Sequence, residues 1–277
     1  MQHSTASVTS LPVSEFMTSD QQVSAKNPTS NDIFIRLGSL ECSSAYVEFG
    51  RTKVFCTVLG PKEMSRDAGF SADVNSTGRL LVTVRICPFA TNPRVKTQDP
   101  KKSKPQQSKV SGVSGDVTMN DRELQLANLV LTALGSSVRL DQYCRSVIEV
   151  HATVIENGGF VLPALITCAS AALVDAKILL YDVVAASSVL FSNDGGLFVY
   201  PTEINAPMPR EYPTEMCVAI MPNLNQVGLC HVIGKPINIE VTQAAMKTAE
   251  TGCTIVAKTL RRAIGKRIRR AEANGTT

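Results

Sequence analysis

Between Ile33 and Cys87, four short runs of β-forming residues follow one another before any helical period begins. IFIRLG (33–38), SSAYVEFG (43–50), TKVFCTVLG (52–60) and RLLVTVRIC (79–87) are rich in Val, Phe, Leu and Thr and are separated by turn residues. Gly50-Arg51 has the length of a tight hairpin connection. Helical periodicity first appears at Asn120. Glu123 follows at capping-box spacing, and Ala127, Val130, Leu131, Leu134 and Val138 fall on one face. SVIEVHATVIE (146–156) then alternates as a strand, ends in Asn157-Gly158-Gly159, and leads into a small-residue helix from about Pro163 to Lys177. Proline suits such a first turn. Further strands are expected at 183–191, 196–200, 215–222 and 227–233, with a turn at 192–196, and a long last helix over roughly 240–270. With no internal repeat and no regular βαβα alternation, this order indicates an α+β fold.

The 277 residues are 44% hydrophobic, enough to bury a sizeable core and to exclude a disordered chain through the middle. Aromatics are only 5% and Trp is absent, which argues against a base-stacking platform. The net charge of +4 is unevenly spread. Residues 91–110 carry Arg94, Lys96, Lys101, Lys102, Lys104 and Lys109 against Asp99 alone. Residues 258–270 carry Lys258, Arg261, Arg262, Lys266, Arg267, Arg269 and Arg270 with no acid, so the rest of the chain is net acidic. Two basic patches on an acidic body suit polyanion contact at particular surfaces. Residues 1–30 are Ser/Thr/Gln-rich and aperiodic, the composition of a flexible tail without a secretory signal. One domain is expected over 31–272, carrying a basic loop insertion at 91–116 with Pro93, Pro100 and Pro105, and a short C-terminal tail at 273–277. The most apolar stretch, Gly158 to Val174, is broken by Pro163 and followed by Asp175 and Lys177, so no membrane association is expected.

Motifs for familiar chemistries are missing. No G-x-S-x-G, H-E-x-x-H, G-x-x-x-x-G-K or G-x-G-x-x-G occurs. The eight cysteines form no C-x-x-C pair and mostly sit in apolar runs, as reduced buried thiols do; neither a metal nor a cofactor is expected. Of three histidines, His3 is in the tail, while His151 and His231 lie in strands, where structural roles outweigh catalytic ones. The turn Asn157, Gly158, Gly159 can be a phosphate cradle at a helix N-terminus or a plain strand-to-helix turn. Phe160 and Val161 supply it with no cation.

Six stretches together carry a resemblance: GRTKVFCTVLGPKE (50–63), CPFA (87–90), RELQLANLVLTAL (122–134), ENGGFVLPALITCASAALVDA (156–176), YDVVAASSVLF (181–191) and VAIMPNLNQVG (218–228). In this order, from about Ile33 to Arg270, the chain resembles the RNase PH-like proteins, and most closely the eukaryotic RNA exosome ring subunits of the mRNA-transport-regulator type. The resemblance implies an RNase PH-like fold (ribosomal protein S5 domain 2-like) in a hexameric ring around a channel. Active members cut RNA from its 3′ end with inorganic phosphate. They use a Gly-Gly-Thr-Arg turn, two aspartates spaced Asp-x-x-x-x-x-Asp, and arginines on the preceding helix. In this sequence Thr-Arg is replaced by Phe160-Val161, the aspartates align near Tyr200 and Ala206, and the arginines near Leu126 and Val130. Glu203 and Glu215 are nearby acids without the family spacing. The resemblance therefore implies no catalytic residues and no intrinsic catalysis.

What it further implies is a scaffold that helps guide RNA into the channel for 3′-to-5′ processing and degradation. The partners would be other RNase PH-like ring subunits, S1/KH cap subunits and a separate hydrolytic nuclease, in the nucleus, nucleolus and cytoplasm. The loop after CPFA would bring Arg94, Lys96, Lys101, Lys102 and Lys104 within reach of RNA, or remain a solvated loop. The C-terminal basic helix would meet a neighbouring subunit, solvent or RNA. The competing readings are an active phosphorolytic exoribonuclease and a stand-alone RNA-binding module.

Overall fold

The computed structural model describes residues 33–38, 43–63, 77–90, 120–191, 196–200, 214–235 and 238–273, with backbone pairing also given for 11–12, 108–109 and 118–119. In chain order the elements are β1 (Leu11–Pro12), β2 (Ile33–Leu37), β3 (Ser44–Phe49), β4 (Thr52–Glu63), β5 (Arg79–Ile86), β6 (Ser108–Lys109), β7 (Thr118–Met119), α1 (Asp121–Gly135), β8 (Ser146–Glu156), α2 (Leu162–Asp175), β9 (Ala185–Phe191), β10 (Leu197–Tyr200), β11 (Thr214–Met221), β12 (Gln226–Gly234) and α3 (Ile239–Ala273). The first sheet has the order β2-β3-β4-β8-β5, antiparallel except where β5 runs parallel to β8. The second is β1-β12-β11-β9-β10, antiparallel throughout. This is the expected α+β architecture.

Alternation decides the first sheet. β2 buries Ile33, Ile35 and Leu37 and exposes the residues between them, and the two-residue turn Gly50-Arg51 sets the register of β3 against β4. Gly50 takes a φ of 55°, which favours glycine. β4 runs three residues past its expected end, through Pro61. A proline is accommodated because the pairing with β8 shifts between Leu59 and Lys62, so no ladder donor is needed there.

Helix α2 is buried from Leu162 through Leu173. A helix apolar on every side must sit inside the protein, and this one lies between β3 and β4 of one sheet and β9 of the other. Each fully buried Leu165, Ile166 or Leu173 contributes about 1.5–3 kcal/mol of transfer free energy. Helix α3 is 35 residues long; its first half covers the far face of the second sheet, and its second half reaches β2 of the first. In the first half, Ala245, Ala249 and Cys253 pack on Val189, Val199, Met216 and Val218. The layers are thus the first half of α3, second sheet, α1 with α2, and first sheet.

Four expectations shift. Leu11–Pro12, inside the stretch expected as a tail, pairs with Val227 and Gln226 at the edge of β12. Ser108–Lys109, inside the expected loop insertion, pairs with Thr118–Met119. Both contacts are long-range or in polar sequence, where periodicity carries no signal. Val138 lies beyond the end of α1, yet is buried by its bridge to Leu180. Helix α3 continues to Ala273, one residue into the stretch expected as a C-terminal tail.

Candidate functional site

Strand β8 runs out at Glu156, and the chain turns through Asn157, Gly158 and Gly159 into α2. Each N–H of that turn has an internal acceptor. Asn157 N–H donates to the Ala90 carbonyl at 2.8 Å, Gly158 N–H to Thr52 Oγ1 at 3.1 Å, and Gly159 N–H to the Asn157 side-chain oxygen at 2.8 Å. Both glycines have structural reasons. A Cβ on residue 158 would come within 2.9 Å of Thr52 Oγ1, and Gly159 takes a φ of 121°. The turn is therefore saturated as a turn, with none of these three donors left for a phosphate.

The residue after the turn closes it further. The Phe160 ring lies 5.0 Å from that of Tyr200 on β10, inclined by 52°, and Tyr200 meets Phe49 of β3 edge-on at 6.5 Å. The Tyr200 hydroxyl donates to the Phe49 carbonyl and stands 3.0 Å from Thr52 Oγ1. Burial pushes this phenol up to about 12, and the Glu215 charge adds to that direction.

Beside this knot opens a cleft of about 160 Å³ between α1, the start of α2 and the second sheet. Leu126 and Leu129 come from α1, and Val161 and Leu162 from the helix start. Glu215, Cys217, His231 and Ile233 come from β11 and β12. Arg122 is the cleft's cation. Glu215 accepts a hydrogen bond from Ser188 Oγ at 2.9 Å, but burial outweighs that contact and raises its pKa. Cys217 is raised well above the ordinary thiol range, first by burial and then by Glu215.

Four of the six residues that the resemblance aligns with the family's machinery meet at this cleft or its edge. Leu126 and Val161 line the cleft, and Phe160 packs on Tyr200 at its edge. Val130 is fully buried in the core below. Ala206 and Glu203 lie outside the described residues, as do Arg94, Lys96, Lys101, Lys102 and Lys104. Sequence reasoning marked Glu215 as a nearby acid but missed Arg122 and the place of His231 in the cleft, because α1 lies far from the β11–β12 hairpin in the chain. His151 is not part of the cleft; its Nε2 is 3.6 Å from Glu149 Oε2. Among the described residues, no group of three or more His, Cys, Asp or Glu side chains is placed to hold a metal ion. No described helix is long and apolar enough to cross a membrane.

The family model described as the 3′ exoribonuclease family, domain 1 (RNase PH), matches residues 30–179. The chain belongs to the RNase PH family. Mouse exosome complex component MTR3 is 31% identical to it over 268 residues, covering 92% of this chain and 90% of that protein. The rice Rrp46 crystal structure superposes with a TM-score of 0.62 at 17% identity, over 85% of this chain and 96% of that one. The Archaeoglobus fulgidus exosome with RNA bound to the active site gives 0.59 at 16%, over 82% and 87%. These two structures show that the RNase PH fold is shared.

Several stretches that carry the RNase PH resemblance have structural roles. Asn223, in the 218–228 stretch, donates from its backbone N–H to Asp182 Oδ2 at 2.6 Å and from its amide to Asp182 Oδ1 at 2.8 Å. Arg261 of α3 donates to the Asn223 side-chain oxygen at 2.5 Å. Asp175, in the 156–176 stretch, accepts from Ser44 N–H at 3.1 Å and from Arg267 Nε at 2.9 Å. Two of the seven cations of the C-terminal patch are thus engaged with the folded body.

Proposed function

We propose that this RNase PH family member is a non-catalytic ring subunit of an exosome-type complex, a scaffold that helps guide RNA towards a nuclease carried by another chain. The observation that carries the reading is the knot at the turn. Phe160 and Tyr200, aligned with the threonine of the phosphate turn and the first aspartate of active members, are packed ring against ring. The turn's own N–H groups are consumed internally. Phosphorolysis brings two polyanions together and needs cations and acids where this chain has leucine, valine and aromatic rings. The 31% identity to the mouse MTR3 protein over nearly the whole chain supports exosome membership. Neighbouring RNase PH-like chains, S1/KH caps and a separate hydrolytic nuclease complete the proposed assembly, working in the nucleus, nucleolus and cytoplasm. Arg94, Lys96, Lys101, Lys102 and Lys104 would contact the RNA backbone at the channel mouth.

Three measurements test this. Native mass spectrometry of the chain gently purified from its own cells should recover several different RNase PH-like chains with S1-type caps; a homo-hexamer would overturn the scaffold reading. The isolated chain, given single-stranded RNA and inorganic phosphate, should release no nucleoside diphosphate, and sustained release would establish an active enzyme. In the assembled ring, neutralising Lys101, Lys102 and Lys104 to Ala should flatten the salt dependence of RNA threading while leaving assembly intact.

A further inference from the structure

The seven cations of α3 between Lys258 and Arg270 divide into two sets. Arg261 and Arg267 turn back onto the body, to Asn223 and Asp175. Lys258, Arg262, Lys266, Arg269 and Arg270 are exposed, and none of the five has an ion-pair partner among the described residues. Their spacing puts them on one side of the helix. Steps of four, four, three and one residues at 100° each keep all five within about 120° of arc. Ala249, Cys253, Val256 and Leu260, on the opposite side, are buried. At 1.5 Å per residue the stripe is roughly 18 Å long.

The helix dipole does not account for this stripe. A dipole favours cations within the last turn only, and Lys258, Arg262 and Lys266 precede it. Like charges four apart, as in Lys258/Arg262, Arg262/Lys266 and Lys266/Arg270, destabilise an isolated helix. A second observation lies within the stripe. Gly265 sits inside α3, where glycine is disfavoured relative to alanine, yet a Cβ there would meet nothing within 4 Å. Packing therefore gives no reason for it. Its missing side chain leaves a notch between Arg262, Lys266 and Arg269 through which a ligand can approach the helix backbone.

We propose that this outer face of α3 is a docking stripe for the phosphodiester backbone of single-stranded RNA, separate from the loop at 91–116. Three of the five cations are arginines, whose planar forks match phosphate oxygens in pairs. The stripe itself carries no large apolar anchor, whereas a protein interface core is normally built around one. The surface thus offers charge and a notch, which suit a polyanion read without regard to sequence.

The test uses the full-length chain and a fluorescent oligouridylate of about twenty nucleotides, titrated across about 50–200 mM salt. One variant carries Lys258→Gln, Arg262→Gln, Lys266→Gln, Arg269→Gln and Arg270→Gln, with helicity checked by circular dichroism. Its affinity should fall about tenfold or more, and the slope of log affinity on log salt should drop by up to about 3.5, at about 0.7 for each of five lost phosphate contacts. Gly265→Leu should fill the notch, weakening binding while raising the unfolding midpoint. Lys101, Lys102 and Lys104 replaced by Ala should subtract an independent increment from the slope. Were the five-fold variant to misfold, the milder Arg262→Gln/Lys266→Gln pair is judged by the same readout. Unchanged affinity and slope in a folded variant would overturn the proposal. So would unchanged RNA binding with loss of a neighbouring subunit from the purified complex, which would assign the stripe to a protein partner.

Discussion

Phe160 is held by its contact with Tyr200, which is itself fixed through its hydroxyl to the Phe49 carbonyl and lies against Thr52. Thr52 Oγ1 also receives the Gly158 N–H, so the ring stack and the turn share one anchor on β4. Replacing the ring removes apolar contact at a partly buried site, and threonine's hydroxyl finds no free turn donor to meet. Phe160→Thr is therefore expected to lower stability by about 1–3 kcal/mol, seen as a lower urea midpoint. The same variant should gain no phosphate-dependent cleavage, because a single hydroxyl restores neither cations nor acids. A gain in nucleoside diphosphate release would mean that Phe160 alone blocks an otherwise competent site.

One side chain ties the start of helix α1 to the first sheet. The buried Glu123 carboxylate accepts Asn120 N–H at 3.0 Å and, across the layer boundary, Ile86 N–H at the end of β5 at 2.8 Å. Glu123→Ala strands both donors, and a loss of about 1–3 kcal/mol is expected by chemical denaturation. Helix α3 depends on a missing side chain instead. A Cβ on Gly252 would come within 2.6 Å of Val199 Cγ1 and 3.0 Å of Ser187 Oγ, the hydroxyl that donates to the Ala249 carbonyl. Gly252→Ala gains helix propensity but forces the helix off the sheet, so a net loss of about 1–3 kcal/mol is expected. A rise in the unfolding midpoint would show that the contact relaxes freely. The cap at Asn120–Glu123 and the full extent of β8 were legible because each rests on local spacing or alternation. The Ile86 contact was not, since nothing near Glu123 marks a partner 37 residues away. The cleft was illegible for the same reason: Arg122 meets Glu215 and His231 only after α1 has packed beside the second sheet. The aromatic knot was half legible, as two departures from the family pattern at Phe160 and Tyr200, but their contact needed the fold.

At the scale of the whole molecule, burying a central helix between two sheets leaves few places for a charge to hide, and Glu215 is one of them. It projects from β11 towards the cleft, with Ser188 on β9 as its hydrogen-bond donor. Arg122 of α1, His231 of β12 and Cys217 of β11 line the same cleft, and Tyr200 of β10 feels its charge. Burial raises the Glu215 pKa above the ordinary carboxylate value, so the folded chain holds this proton more tightly than the unfolded chain does. Between the ordinary and the raised pKa the native state binds more protons. Stability must therefore fall as pH rises through that window and stay lower above it. Glu215→Gln keeps the shape and the acceptor for Ser188 but removes the ionisation. Its unfolding free energy, from urea titrations at a series of pH values, should lack this decline and exceed that of the wild type at neutral pH. The other cleft groups are common to both proteins and drop out of the difference. Parallel curves for the two proteins would mean that Glu215 ionises in the fold as freely as in the open chain, and that the cleft is wetter than its apolar walls imply.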